Sequence, residues 1–295
     1  MQFAVVTAYL PLGELPVLAA EIDRLGYASM SVADHVVDLE TLATPYPYEA
    51  SGERRWPLDV DWPDTWVTIG ALAAVTTRLR FFTSIYVAAL RNPFSVAKAV
   101  GTAAALSGGR VALGVGVGWC REEFELMGED FVSRGRRTDE GLALMKALWE
   151  PGMTEFEGEF YSAPRLMMRP EPPAPVPIWV GGLSDVAYRR AARHDGWVGD
   201  MCTVEQAAEV AGILRAHRRD LGREDEPFEV VPALMDAFVP DDFARAHDAG
   251  ITQTMTVPWM YYYGQHCTLE QKLDGLRRFR DDVLEPVERL VGGTA

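Results

Sequence analysis

Apolar and polar positions along this chain alternate in two periods, and the two periods take turns. Residues 2–8 form a short apolar run that reads as a strand. Residues 14–25 then place Leu15, Leu18, Ala19, Ile22 and Leu25 on one helical face, closed by Gly26. Residues 27–33 read as a second strand, ending at Asp34 and His35, and a strand–helix–strand run this early predicts a parallel sheet. Further strands are predicted over 78–88, 111–118, 177–182, 197–199, 228–235 and 251–257. Helices are predicted over 64–76, from Pro93 to about Leu106, and over 121–128, 135–149, 184–194, 204–220, 241–248 and 268–288. Asp64 reads as an N-cap, and Asn92 followed by Pro93 opens a helix in a favoured way. Eight strands, each followed by a helix, predict an α/β fold: a (β/α)8 TIM barrel rather than an open doubly wound sheet, one domain over 1–295. A small polar hairpin at 154–163 and the proline-rich 164–177 are extra segments after the fourth strand.

Two stretches depart from this rhythm. Residues 36–63, after the second strand, carry Pro45, Pro47, Pro57 and Pro63 with Tyr46, Tyr48, Trp56 and Trp62 between them. The segment is too long for an ordinary connection, and its aromatics need something to cover, so it reads as an insertion forming a lid over the barrel mouth. The second stretch is 107–119, where Val111, Leu113, Val115 and Val117 alternate with Ala112, Gly114, Gly116 and Gly118. Glycine weakens a strand, so a flat cofactor ring, a close backbone neighbour or tight barrel packing without a ligand would each account for the cleared face.

Composition narrows the classes. The chain has 295 residues, 48% of them hydrophobic, which is enough for one large core. No apolar run approaches the roughly 20 residues of a membrane span. A net charge of −15 argues against nucleic-acid or anionic-membrane partners. Met1–Ala8 carries no basic leader before a cleavable apolar segment. Cys120, Cys202 and Cys267 are odd in number and widely spaced, which fits reduced thiols and a cytoplasmic location.

In a (β/α)8 barrel the chemistry sits at the strand C-termini. Here that rule selects Thr7, Asp34-His35, Ser84-Ile85, Gly116 to Trp119, Gly181-Gly182, Asp200 and the loop after Val257. His35 is the one histidine of five at such an end, and a histidine there can exchange a proton near neutral pH or simply order its loop. The run ValGlyGlyLeuSer at 180–184 ends a strand and opens a helix that Ser184 can cap, so bare N–H groups there could take a phosphate. No GxGxxG opens a helix and no GxxxxGK[ST] occurs. No HxxxH or HxxE spacing points to a metal, and no GxSxG elbow is present. The doublet Glu122-Glu123 falls on a predicted helix and reads as a solvated face.

Several stretches together resemble the luciferase-like flavin and deazaflavin oxidoreductase family, in its subgroup that uses coenzyme F420. They are LeuGlyTyrAlaSerMetSerValAlaAspHis (25–35), ArgAsnPro (91–93), SerGlyGlyArgValAlaLeuGlyValGlyValGlyTrp (107–119), ArgArgThrAspGlu (136–140), LeuTrp (148–149), PheGluGlyGluPheTyr (156–161), ProIleTrpValGlyGly (177–182) and AspGlyTrp (195–197). None is specific alone, but they run in family order up to about residue 200. The resemblance implies a homodimer, with Asp34 contacting the deazaflavin and His35 facing the substrate as the catalytic residue. It further implies a non-prolyl cis bond at Ser84-Ile85 behind the ring, Gly116 and Gly118 beside it, and Val180, Gly181 and Gly182 near the cofactor's phosphate. Trp119 stands where the family's sugar-phosphate dehydrogenases carry an acid, which suggests an apolar substrate. Trp56, Trp119 and Tyr261 are expected to wall its pocket. The expected activity is hydride transfer between F420 and a small organic molecule. The alternatives are an FMN-dependent monooxygenase of the same superfamily and a non-catalytic flavin-binding protein.

Overall fold

A computed structural model describes residues 1–292; the last three of the 1–295 span lie outside the described residues. Eight parallel strand positions close into a barrel. They are β1 (Gln2–Val6), β2 (Ser29–Val32), β3 (Arg80–Thr83) with its short continuation β4 (Tyr86–Val87), β5 (Val111–Gly116), β8 (Ile178–Gly181), β9 (Gly196–Cys202), β10 (Glu229–Leu234) and β11 (Gln253–Thr256). β11 pairs with β1 at one seam and β3 with β5 at the other, so no sheet edge remains. The antiparallel hairpin of β6 (Thr154–Glu157) and β7 (Ser162–Leu166) stands apart after the β5 segment, where the sequence predicts it.

Strand alternation builds two cores. Phe3, Val5 and the other outward residues meet the helices, while Ala4, Phe82, Ala112, Trp179, Val198, Val231 and Met255 fill the barrel interior, one from each of seven strands. The helices begin where capping chemistry allows. Asp64 accepts N–H bonds from Trp66 and Val67 at 3.1 and 2.9 Å to open α2 (Thr65–Ala74). Asn92 accepts from Phe94 N–H at 3.0 Å, with Pro93 first in α3 (Pro93–Ser107).

Close protein neighbours account for the glycine strand. A Cβ on Gly114 would overlap the Thr83 carbonyl, one on Gly116 would press on the Ile85 side chain, and one on Gly118 would strike Val87 and Phe124. The cause lies next door. From Phe81 to Tyr86 the third strand takes five steps while its partner takes four from Val111 to Val115, a bulge of one residue. The bulge holds the cis Ser84-Ile85 bond expected there. It turns the Ile85 side chain into the mouth, where the missing side chains of Gly116 and Gly181 make room for it.

Candidate active site

One cleft of about 1690 Å³ opens at the C-terminal ends of the strands, and residues 44–48, 55, 56 and 62 of the insertion form part of its wall. The segment has no helix or strand of its own, so side chains from elsewhere must hold it. The fastener is α4 (Arg121–Leu126), directly after the glycine strand. Glu122 accepts N–H bonds from Ala43 and Thr44 at 2.7 and 2.8 Å, and Glu123 accepts from Val36 at 2.6 Å and Val37 at 3.4 Å. On the opposite side Arg55 pairs with Asp200 at the end of β9, at 2.9 Å, and with Glu49. The doublet expected to be a solvated face is therefore a double clasp. Glu123 is 2% exposed, because two backbone N–H groups and an imidazole supply the partners a buried carboxylate requires.

That imidazole is His35. Its Nδ1 lies 3.1 Å from the Glu123 carboxylate. Burial alone would raise the Glu123 carboxyl, but the His35 contact and the Val36 and Val37 N–H groups hold it below the ordinary range. An ionised carboxylate only accepts, so Nδ1 carries the hydrogen and Nε2 is left for the cleft, with no hydrogen-bond partner on the described chain. Trp62, Trp56 and Trp119 surround the ring at centroid distances of 4.7, 5.4 and 6.0 Å, and Tyr46 closes the box against Trp56 and Trp119.

Asp34 is adjacent in sequence but engaged elsewhere. Both its oxygens receive the Arg91 guanidinium, at 2.7 and 2.8 Å, and Val87 N–H adds a bond at 2.9 Å. Burial pushes its carboxyl up while Arg91 opposes the shift. Asp34 thus ties β2 to the segment just past the Ile85 bulge, and its carboxylate is already committed within the protein.

The other end of the cleft is cationic. Arg134, first residue of α5 (Arg134–Trp149), lies 3.7 Å over the Phe131 ring and donates to the carbonyls of Gly118 and Phe131 at 3.0 and 2.7 Å. Among the described residues no carboxylate pairs with it, and burial and the like charge of Arg121 lower its pKa. Facing the same cleft, Ser184 caps α6 (Asp185–Ala192), accepting from Ala187 N–H at 3.3 Å. The N–H groups of Leu183 and Ser184 find no acceptor among the described residues. Gly182 has φ 124°, and a Cβ there would overlap Ala187, so only glycine makes this turn. Arg190 borders the same end but is neutralised by Asp139, at 2.6 and 3.1 Å.

The structure therefore brings together Asp34, His35, Ser84, Ile85, Gly116, Gly118, Gly181, Gly182, Trp56, Trp119 and Tyr261 around one cavity. Val180 does not border it; its side chain packs in the helix-facing core. Glu123 and Arg134 are the site residues that the sequence reading passes over, and Trp62, expected there only as one of the lid aromatics, joins them. The signal for Arg134 is an arginine in an arginine-rich run with no acid three or four residues beyond it, and for Glu123 it is an acid beside an apolar Phe124.

Fold and cleft define a (β/α)8 barrel with its large cleft at the strand C-termini, the end where barrel enzymes carry their sites. The chain belongs to the luciferase-like monooxygenase family, whose model it matches over residues 2–280. An uncharacterised Mycobacterium tuberculosis protein is 37% identical over 285 residues, 95% of this chain and 96% of the relative. The F420-dependent glucose-6-phosphate dehydrogenase of Segniliparus rotundus is 31% identical over 203 residues, 67% of this chain and 55% of that enzyme. Among solved structures, a monooxygenase of Streptomyces bottropensis matches over 97% of this chain and 99% of its own, with TM-score 0.74 at 18% identity. The F420-dependent tetrahydromethanopterin reductase of Methanopyrus kandleri matches over 96% and 98%, with TM-score 0.71 at 12% identity. At these identities the two structures speak for the fold. No helix among the described residues is long and apolar enough to cross a membrane.

Proposed function

We infer that the chain is an oxidoreductase that moves a hydride between coenzyme F420 and an apolar organic substrate. The observation that carries this is the polarity of the one cleft. Its β8–α5 end presents an unneutralised guanidinium and two bare N–H groups, the donor set an anionic phosphate requires. Its β2 end presents a histidine with one free nitrogen in a tryptophan box. Arg134, the N–H groups of Leu183 and Ser184, and the Ile85 shelf are the residues that would hold the cofactor. When bound, a deazaflavin supplies the two-electron chemistry that the side chains of this chain lack.

The chain's own contribution is position and a proton. Glu123 fixes the His35 ring through Nδ1, so Nε2 can take a proton from a substrate hydroxyl or return one to a carbonyl. Trp56, Trp62 and Trp119 keep water from that nitrogen and give an apolar substrate its surface. Trp119 in this wall favours an apolar molecule over a phosphosugar. F420 is preferred to FMN because the relative that is 31% identical is named for F420, while the monooxygenase neighbour shares the fold at 18% identity.

Titration of the purified protein with F420 and with FMN, followed by fluorescence, tests the reading. Micromolar binding of F420, weakened at least tenfold in Arg134→Ala, is expected. Binding of FMN alone would replace this reading with the monooxygenase one, and binding of neither would remove both.

A further inference from the structure

The aromatic box around His35 has donors to spare and its carboxylates are spent. The four carboxylates that border the cavity are all engaged: Asp34 by Arg91, Glu123 by His35 and Val36, Asp200 by Arg55, and Asp282 by the Tyr262 hydroxyl at 2.9 Å. Asp38 accepts from Trp56 Nε1 at 2.9 Å and pairs with Arg54. Trp62 Nε1 is shut off from solvent and still finds no acceptor. The hydroxyls of Tyr9 and Tyr46 and the Trp119 N–H, on side chains that border the cavity, find no partner among the described residues either.

Tyr9, in the loop after β1, stands out among these. Its ring lies nearly parallel to Trp56 at 5.9 Å and edge-on to Trp62 at 5.6 Å, the same two rings that flank His35. It is 45% exposed and borders the cavity. Its φ is 66°, and among the described residues no other non-glycine has a positive φ. For a bulky side chain this backbone conformation is costly, and such strain collects where the placement of a side chain matters to function. Leu10 N–H bonds the Thr7 carbonyl at 3.3 Å and the Thr7 hydroxyl bonds the Ser31 carbonyl at 2.7 Å, so the turn is tied to β2. Burial pushes the Tyr9 phenol up to about 12, against the pull of Arg55, so the oxygen keeps its proton at neutral pH. A ring that only propped up the insertion would need no hydroxyl.

Water satisfies such a donor while the cleft is open, and a substrate that fills the box displaces it. A bare hydrocarbon skeleton then leaves the donor unpaired, which weakens binding, whereas an oxygen on the skeleton pairs it. We propose that Tyr9 is a specificity-determining residue, whose O–H selects substrates carrying a second, hydrogen-bond-accepting oxygen besides the one at His35. The substrate class is a mainly hydrocarbon ketone or alcohol with an additional ether or carbonyl oxygen. The inference rests on the oxidoreductase reading for the oxygen at His35 only; the role of Tyr9 stands on the box itself.

The test pairs isosteres in calorimetric titrations of the full chain, with and without F420. The three methoxycyclohexanone isomers are compared with the matching ethylcyclohexanones, in which a methylene replaces the ether oxygen. On a wall without a donor the extra buried methylene makes the ethyl compound the tighter binder, by about fourfold. At the ring position that reaches Tyr9 the methoxy compound is instead expected to bind about tenfold tighter than its ethyl partner. Tyr9→Phe keeps the ring and its stack on Trp56, and a thermal melt confirms that it folds. It abolishes the preference and leaves the ethyl compounds bound as before or more tightly. Ethyl compounds that bind as tightly as their methoxy partners at every position overturn the proposal. So does the absence of measurable binding by any methoxy ketone, or a preference retained in Tyr9→Phe. A preference abolished by Tyr9→Phe, in a chain that turns over no ketone or alcohol, would refute the hydride-transfer reading and leave the role of Tyr9 standing. Turnover with equal kcat/KM within each pair would do the reverse.

Discussion

Replacing Glu123 by alanine tests whether α4 fastens the insertion. The change removes the acceptor of Val36 N–H at 2.6 Å and of His35 Nδ1 at 3.1 Å, and a longer contact to Val37 at 3.4 Å. Two hydrogen bonds to a charged group, at about 1.5–3 kcal/mol each, put the upper bound near 3–6 kcal/mol. Val36 and Val37 are 36% and 41% exposed, so water can replace part of what is lost. We expect a net cost of about 2–3 kcal/mol, or about 3–5 °C in melting temperature for a chain of this length. Because the insertion has no regular secondary structure, part of the cost emerges as local opening, with faster amide exchange across 36–44 and little change in the barrel strands. Glu123→Gln keeps an acceptor and recovers part of the loss. Scanning calorimetry and hydrogen exchange by mass spectrometry read both effects. An alanine variant that melts within 1 °C of the parent, with unchanged exchange over 36–44, would refute the clasp.

Two further outcomes follow from the same geometry. His35→Ala is expected to leave F420 affinity nearly unchanged while turnover falls by about 10²–10⁴, and His35→Asn, which cannot titrate, should be almost as damaging; an asparagine variant at near-parental rate would remove the proton-transfer role. Glu122, whose carboxyl burial would raise but which its own backbone N–H, Thr44 and the Ala43 N–H together hold down to about 2, contributes its grip fully above the ordinary value of 4.5 and loses it as pH falls toward 2. Tryptophan fluorescence from the insertion should therefore change over that window and less so in Glu122→Gln; identical acid profiles would count against the second half of the clasp.

The barrel was legible because each strand and helix announces its own period and its own caps: Asp64 and Asn92 cap where their residue types say they should. His35 was legible because a strand end is a position that sequence order alone defines. Glu123 was not, because its role depends on a segment some 87 residues away in the chain meeting α4. A glutamate in a short charged helix has the same local signature whether it faces water or a buried imidazole. The glycines were half legible. Their spacing shows that a face is cleared, but not that the Ile85 side chain, turned inward by a bulge on the neighbouring strand, is what partly fills it. Arg134 escaped because being unpaired is a fact about its surroundings.

The clasp also decides how this barrel can be recombined. (β/α)8 barrels diversify by exchanging the loops at one end, each loop nominally independent of the others. Here the loop after β2 is held by the helix after β5, so the two form one unit of inheritance although they are far apart in the chain. A graft of residues 36–63 into a sister barrel arrives without its fastening and without the group that orients His35. Residues 120–126 have to travel with it, and the recipient has to offer Arg55 an acid where Asp200 stands here.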